Sequence, residues 1–133
     1  MRILVIGAGV IGSNLAADLF ASGRDVTILA RGRWADTLTQ QGLTVKSAFF
    51  PRKKTYRIPV LSELKPDDRY DIVFVVMRYT QIESVFDALN ANASGNIVLV
   101  GNNLVNIGAT SVATVLAVKL AAARASPIRA IRL

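Results

Sequence analysis

Gly7-Ala8-Gly9-Val10-Ile11-Gly12 stands directly behind a run of β-formers, Arg2 to Ile6, and directly ahead of an apolar repeat at Ile11, Leu15 and Leu19. That order predicts a buried strand turning into a helix over a tight glycine bend. Each glycine has a physical duty in such a bend. Gly7 permits the turn, Gly9 lets an anionic group come close to the backbone, and Gly12 lets the helix lie against the sheet. Backbone N–H groups from Gly7 and Gly9 through Val10, Ile11 and Gly12, together with the positive end of the helix dipole, then form a diphosphate site. A glycine-rich turn without a ligand is the competing reading. The strand before the motif and the helix after it favour binding.

The rest of the chain continues the alternation. Gly23 closes the first helix as a C-terminal cap. Asp25 to Leu29 reads as a second strand, and Trp34 to Gln41 as a short helix closed by Gly42. Leu43 to Phe50 and Thr55 to Leu61 read as a hairpin joined by Pro51-Arg52-Lys53-Lys54, followed by a loop over Lys65 to Asp68. Ile72 to Val76 and Ile97 to Val100 are continuous apolar runs, the pattern of strands buried on both faces of a parallel sheet. Thr80 to Leu89 reads as a helix, with Thr80 and Glu83 spaced as a capping box. The predicted fold is therefore α/β: a Rossmann-type parallel sheet with flanking helices and a small hairpin insertion.

The end of the second strand predicts the cofactor. NAD sites commonly place an acid there, about 20 residues past the glycines, to bond the ribose hydroxyls. Here Leu29 is followed by Ala30 and Arg31. Without the acid, nothing repels a 2′-phosphate, and an arginine can pair with one. NADP(H) is thus expected over NAD(H). Arg33, two residues on, is left open between the same duty and a solvated surface. Ligands of open α/β sheets bind at the carboxyl ends of strands. That places Met77-Arg78-Tyr79-Thr80-Gln81 and Gly101-Asn102-Asn103 beside the cofactor. Arg78 could hold a phosphate or carboxylate, and Asn102 a ribose or substrate hydroxyl; helix capping and turn formation are their structural alternatives.

Composition removes other chemistries. The chain has 133 residues, no cysteine and no histidine, so no disulfide, thiolate nucleophile or imidazole base exists and no metal site is expected. The formal charge of +7 invites a nucleic-acid reading. However, Lys119, Arg124, Arg129 and Arg132 supply four of those charges within residues 104–133, which contain no acid. No nucleic-acid motif or aromatic platform accompanies them, so no such partner is expected. Met1 to Gly23 imitates a signal peptide, but its glycines fall at the strand-to-helix turn. Ala88 to Val118 is uncharged yet holds six asparagines, too polar for a membrane span. A cytoplasmic location and no membrane association are expected.

Taken together, the glycine motif, the Ala30-Arg31-Gly32 segment, Arg78 to Gln81 and the Gly101-Asn102-Asn103 turn resemble the N-terminal domain of the ketopantoate reductase (2-dehydropantoate 2-reductase) family. The resemblance covers residues 1–103, an expected NADP-binding domain. It implies NADPH-dependent reduction of a keto acid on the route to pantothenate and coenzyme A. It also implies that Gly7, Gly9 and Gly12 hold the diphosphate and that Arg31 meets the 2′-phosphate. Gln81 and Asn102 match positions near the nicotinamide ribose and the substrate, with Asn102 in a positioning role. Arg78 stands where the family usually has lysine, and Asn103 where it usually has glycine. The family's second, helical domain, which carries the proton-donating lysine, has no counterpart in residues 1–133.

Residues 104–133 do not resemble the family. Thr110 to Ala125 could form a helix ahead of Pro127, and the tail is expected to be helical or irregular. Its composition fits a truncated gene or a shifted reading frame, and the chain is expected not to be catalytically complete. A keto acid is the expected substrate of the full-length enzyme, and a homodimer is one assembly to be tested. The alternative is a stand-alone nucleotide-sensing Rossmann module. Such modules usually carry the acid that Ala30-Arg31 lacks.

Overall fold

A computed structural model of the protein describes residues 1–46 and 53–100. In chain order its elements are β1 (Arg2–Ile6), α1 (Val10–Ala21), β2 (Asp25–Leu29), α2 (Arg33–Gln41), β3 (Leu43–Lys46), β4 (Lys53–Tyr56), β5 (Val60–Leu61), β6 (Ile72–Val76), α3 (Tyr79–Ala91) and β7 (Ile97–Val100). Five strands form one parallel sheet in the order β5-β2-β1-β6-β7. β1 lies at its centre, with Ile3 beside Val26 on one neighbour and Ile72 on the other.

Alternation along the central strand sorts the core into two layers. Ile3 and Val5 point to one face, with Val26, Ile28, Ala16 and Ala17 of α1 and Leu38 of α2. Leu4 and Ile6 point to the other, with Val73, Val75 and the α3 residues Val85 and Leu89. Both faces are covered, so an unbroken apolar run is what β1 requires. Small Ala16 and Ala17 let α1 come close to the sheet. Its C-terminus closes as expected of Gly23. The residue sits at φ +78, its N–H bonds the Phe20 carbonyl, and the Arg24 N–H bonds that of Leu19.

Two expectations need correction. The run Thr55 to Leu61 is not one strand. Lys53 to Tyr56 pairs antiparallel with β3, from Lys46 opposite Lys53 to Leu43 opposite Tyr56. Lys53 and Lys54 are therefore strand residues and not part of the turn. Pro59 has no N–H to continue a ladder. Around it the chain changes partner, and Val60 and Leu61 join β2 in parallel. Ile28 N–H donates to the Pro59 carbonyl and Ala30 N–H to that of Leu61, both at 2.9 Å. Nor does Thr80 cap α3. The extended residue ahead of the helix is Arg78 (φ −64, ψ 143), which makes no side-chain cap, and Thr80 lies one residue inside. The connection 47–52, the Gly101-Asn102-Asn103 turn and residues 104–133 lie outside the described residues.

The link from β5 to β6 contains no helix or strand, and buried polar side chains stitch it down. Asn92 Nδ2 donates to the carbonyls of Lys65 (2.8 Å) and Asp68 (2.6 Å), and Ser94 Oγ accepts the Tyr70 N–H (2.9 Å). Asn92 is only 4% exposed. Replacing it with alanine removes the side-chain donor to the Asp68 carbonyl, leaves the Lys65 carbonyl with the Asp68 N–H, and removes the Oδ1 that accepts the buried Ser94 N–H. Asn92→Ala should therefore cost about 1–3 kcal/mol in urea unfolding, the penalty for buried groups left without a partner. A loss under about 0.5 kcal/mol, the lower bound for one net hydrogen bond, would show that water replaces the amide freely.

Candidate functional site

The sheet order creates a crevice. β1 leads through α1 to β2 on one side, whereas β6 leads through α3 to β7 on the other. Between β1 and β6 the two exits diverge at the carboxyl edge, the usual place for a ligand in such sheets. The glycine loop leaves β1 there, and Met77 and Arg78 leave β6.

The three glycines are glycine for different reasons. Gly7 has φ +99, and a Cβ there would strike the Val76 carbonyl oxygen. A Cβ on Gly12 would strike the Gly7 carbonyl. Both positions are dictated by backbone packing between β1, α1 and β6. Gly9 is unlike them. Its φ of −72 suits any residue, and a Cβ there would meet nothing within 4 Å. Neither fold nor backbone requires glycine at this position, and the space beside it is open. α1 begins at Val10, and the first backbone bond into it runs from Ser13 N–H to the Gly9 carbonyl (2.8 Å). The N–H groups of Val10, Ile11 and Gly12 precede that bond, as in any helix start.

The basic residues flank this loop. Arg31 follows buried Ala30 at the end of β2 and is exposed; Gly32, at φ +60, then turns the chain into α2. Arg33 is exposed in the first turn of α2. On the other side Arg78 is the residue ahead of α3, and Gln81 lies in that helix's first turn; both are exposed. Three adjacent strands, β2, β1 and β6, thus present Arg31, the glycine loop and Arg78 in that order. Among the described residues the one ion pair joins Arg2 to Asp25 at the opposite, amino-terminal edge. Asn102 lies outside the described residues. No group of three or more acids that could hold a metal occurs among the described residues. No helix there is long and apolar enough to cross a membrane. Away from the loop, burial, aided by the charge of Asp68, pushes the Tyr70 hydroxyl above its usual value.

Trp34 is a feature that sequence reasoning passed over. Its indole Nε1 donates to the Ala8 carbonyl (3.0 Å), joining the start of α2 to the glycine loop. The adjacent arginines at a helix start were the available signal. The bond itself spans 26 residues of sequence and follows only from the parallel pairing of β1 and β2.

Comparison with known proteins gives a consistent result. Residues 3–107 match the family model described as ketopantoate reductase PanE/ApbA. A curated 2-dehydropantoate 2-reductase from Pyrococcus horikoshii is 31% identical over 91 residues, covering 68% of this chain and 28% of that protein. The chain thus spans little more than a quarter of that relative's length. Among solved structures, 2-dehydropantoate 2-reductase from Methylococcus capsulatus superposes with a TM-score of 0.68 at 24% identity, covering 86% of this chain and 37% of that one. D-mandelate dehydrogenase with NADH and anilino(oxo)acetate gives 0.63 at 21% identity, with 77% and 35% covered. At these identities the two structures speak for the fold.

Proposed function

This chain belongs to the ketopantoate reductase PanE/ApbA family, and from that premise we propose that residues 1–103 are the NADPH-binding domain of a 2-dehydropantoate 2-reductase-like oxidoreductase. The carrying observation is Gly9. It is bare where the fold does not need it to be, beside the first N–H groups of α1 and at the sheet's switch point. When bound, NADPH supplies the hydride that reduces the ketone of a small keto acid. The chain's own residues bind and orient. The loop from Gly7 to Gly12 receives the diphosphate on backbone N–H groups. Arg31 pairs with the 2′-phosphate, and buried Ala30 leaves no carboxylate to oppose it. Arg78 and Gln81 line the nicotinamide side, with Asn102 positioning the ribose or the substrate.

Calorimetric titration of the purified chain tests the cofactor assignment. NADPH should bind more tightly than NADH. Arg31→Ala should remove about 1–3 kcal/mol of that preference, the range for a charge-assisted hydrogen bond. Equal affinities of the unsubstituted chain for the two nucleotides would overturn it.

A further inference from the structure

We propose that Trp34 is a positioning residue of the nucleotide site, one that fixes the orientation of the Ala8–Gly9 peptide so that the Gly9 N–H is presented to the cofactor's diphosphate. The inference rests on the NADPH-binding reading above. The Ala8 carbonyl accepts two side-chain hydrogen bonds, from Trp34 Nε1 at 3.0 Å and from Ser13 Oγ at 3.2 Å. A carbonyl oxygen has two lone pairs, and here each has a donor. The peptide bond is planar and trans, so the N–H of Gly9 points opposite to the carbonyl of Ala8. Holding one end of that unit aims the other. Gly9, next to the open space, carries no side chain of its own to restrain it. The two donors come from different elements, α2 and α1, so the loop is tied across the junction where β1 and β2 end.

The exposure of Trp34 supports a role beyond packing. Trp34 is 47% exposed, so about half of its surface stays in contact with solvent. Leu38 and Ala35 are the residues by which α2 is anchored in the core. An indole N–H is a donor only and could be satisfied by water at such exposure. Its use on the glycine loop instead stiffens a segment whose neighbours Gly7 and Gly9 would otherwise leave it mobile at some entropic cost on binding.

The test is calorimetry on Trp34→Phe, which keeps an aromatic ring but removes the donor, and on Ser13→Ala, which removes the second donor. Ligands are NADPH, ADP and adenosine 2′-monophosphate. Trp34→Phe should weaken NADPH and ADP by about three- to ten-fold, the worth of one hydrogen bond. It should leave adenosine 2′-monophosphate, which has no diphosphate, unchanged. Ser13→Ala should show the same selectivity, and thermal melting should confirm that both variants fold. Arg31→Ala is the contrasting control, with losses only for ligands carrying the 2′-phosphate. Unchanged NADPH and ADP affinities in both variants would overturn the role of Trp34 while leaving the NADPH reading intact. Equal weakening of all three ligands would also overturn it, as a general structural effect. Failure of the unsubstituted chain to bind NADPH would instead overturn the parent reading and this inference together.

Discussion

Gly9→Val is expected to reduce NADPH binding by at least about 100-fold, equivalent to some 2.7 kcal/mol, while leaving the protein folded. The backbone at Gly9 is in an ordinary region and a Cβ there has open space, so the added Cβ brings neither backbone strain nor collision. The branched side chain instead occupies the opening that a diphosphate must enter. Gly12 gives the opposite signature. Its Cβ would collide with the backbone carbonyl of Gly7, which cannot move without displacing β1. Gly12→Ala should therefore cost about 3 kcal/mol or more of stability, the upper range for overpacking. Chemical denaturation and calorimetry on both variants separate the effects. Normal NADPH binding by Gly9→Val would place the phosphate site elsewhere, and an unfolded Gly9→Val would assign that glycine a structural duty.

The purified 133-residue chain is expected to reduce ketopantoate more slowly than about one turnover per second, the lower end of ordinary enzymes. Hydride addition leaves negative charge on the ketone oxygen, which needs a proton or a strong electrostatic partner. The chain has no histidine and no cysteine. Lys46, Lys53 and Lys54 lie on the β3–β4 ribbon, where Leu43 opposite Tyr56 and the contact of Tyr56 with Phe20 direct the ribbon toward α1. Lys65 sits by Asn92, on the loop that returns to the amino-terminal edge of the sheet. Lys119 lies outside the described residues. Lack of a general acid typically costs about 10²–10⁴-fold. NADPH oxidation with ketopantoate is the measurement. Turnover at or above that rate would show that the chain supplies its own proton donor.

How much was legible in the sequence depended on how local the cause was. β1, β2, β6 and β7 were bounded correctly because a strand buried on both faces must be apolar at successive positions, and glycine or polar residues mark its ends. Gly23 was readable as a cap because a left-handed residue at a helix end is a single-residue requirement. The places of the glycine loop between β1 and α1 and of Arg31 just past β2 were legible for the same reason: they are set by consecutive residues at a strand end. The helix start at Arg78 was less so. Thr80 and Glu83 have the spacing of a capping box, yet the extended residue ahead of the helix is Arg78, and the helix begins at Tyr79, two residues before a cap at Thr80 would start it.

What the tertiary structure alone decided is everything that depends on which strands lie side by side. The split of Thr55 to Leu61 between a ribbon and the main sheet is a choice of partner, made where Pro59 interrupts the ladder. The motif already gave Gly7, Gly9 and Gly12 different duties, but which backbone atoms enforce two of them was decided by the sheet. Two are fixed by the backbone of Val76 in β6 and of Gly7 just past β1, and the third faces open space. The bond from Trp34 to Ala8 has the same origin. Sequence determined the elements and the residues that carry charge, because propensity and burial pattern act within a few residues of one another. The sheet order determined which of those residues meet, because contact between distant residues follows only from the pairing of whole strands.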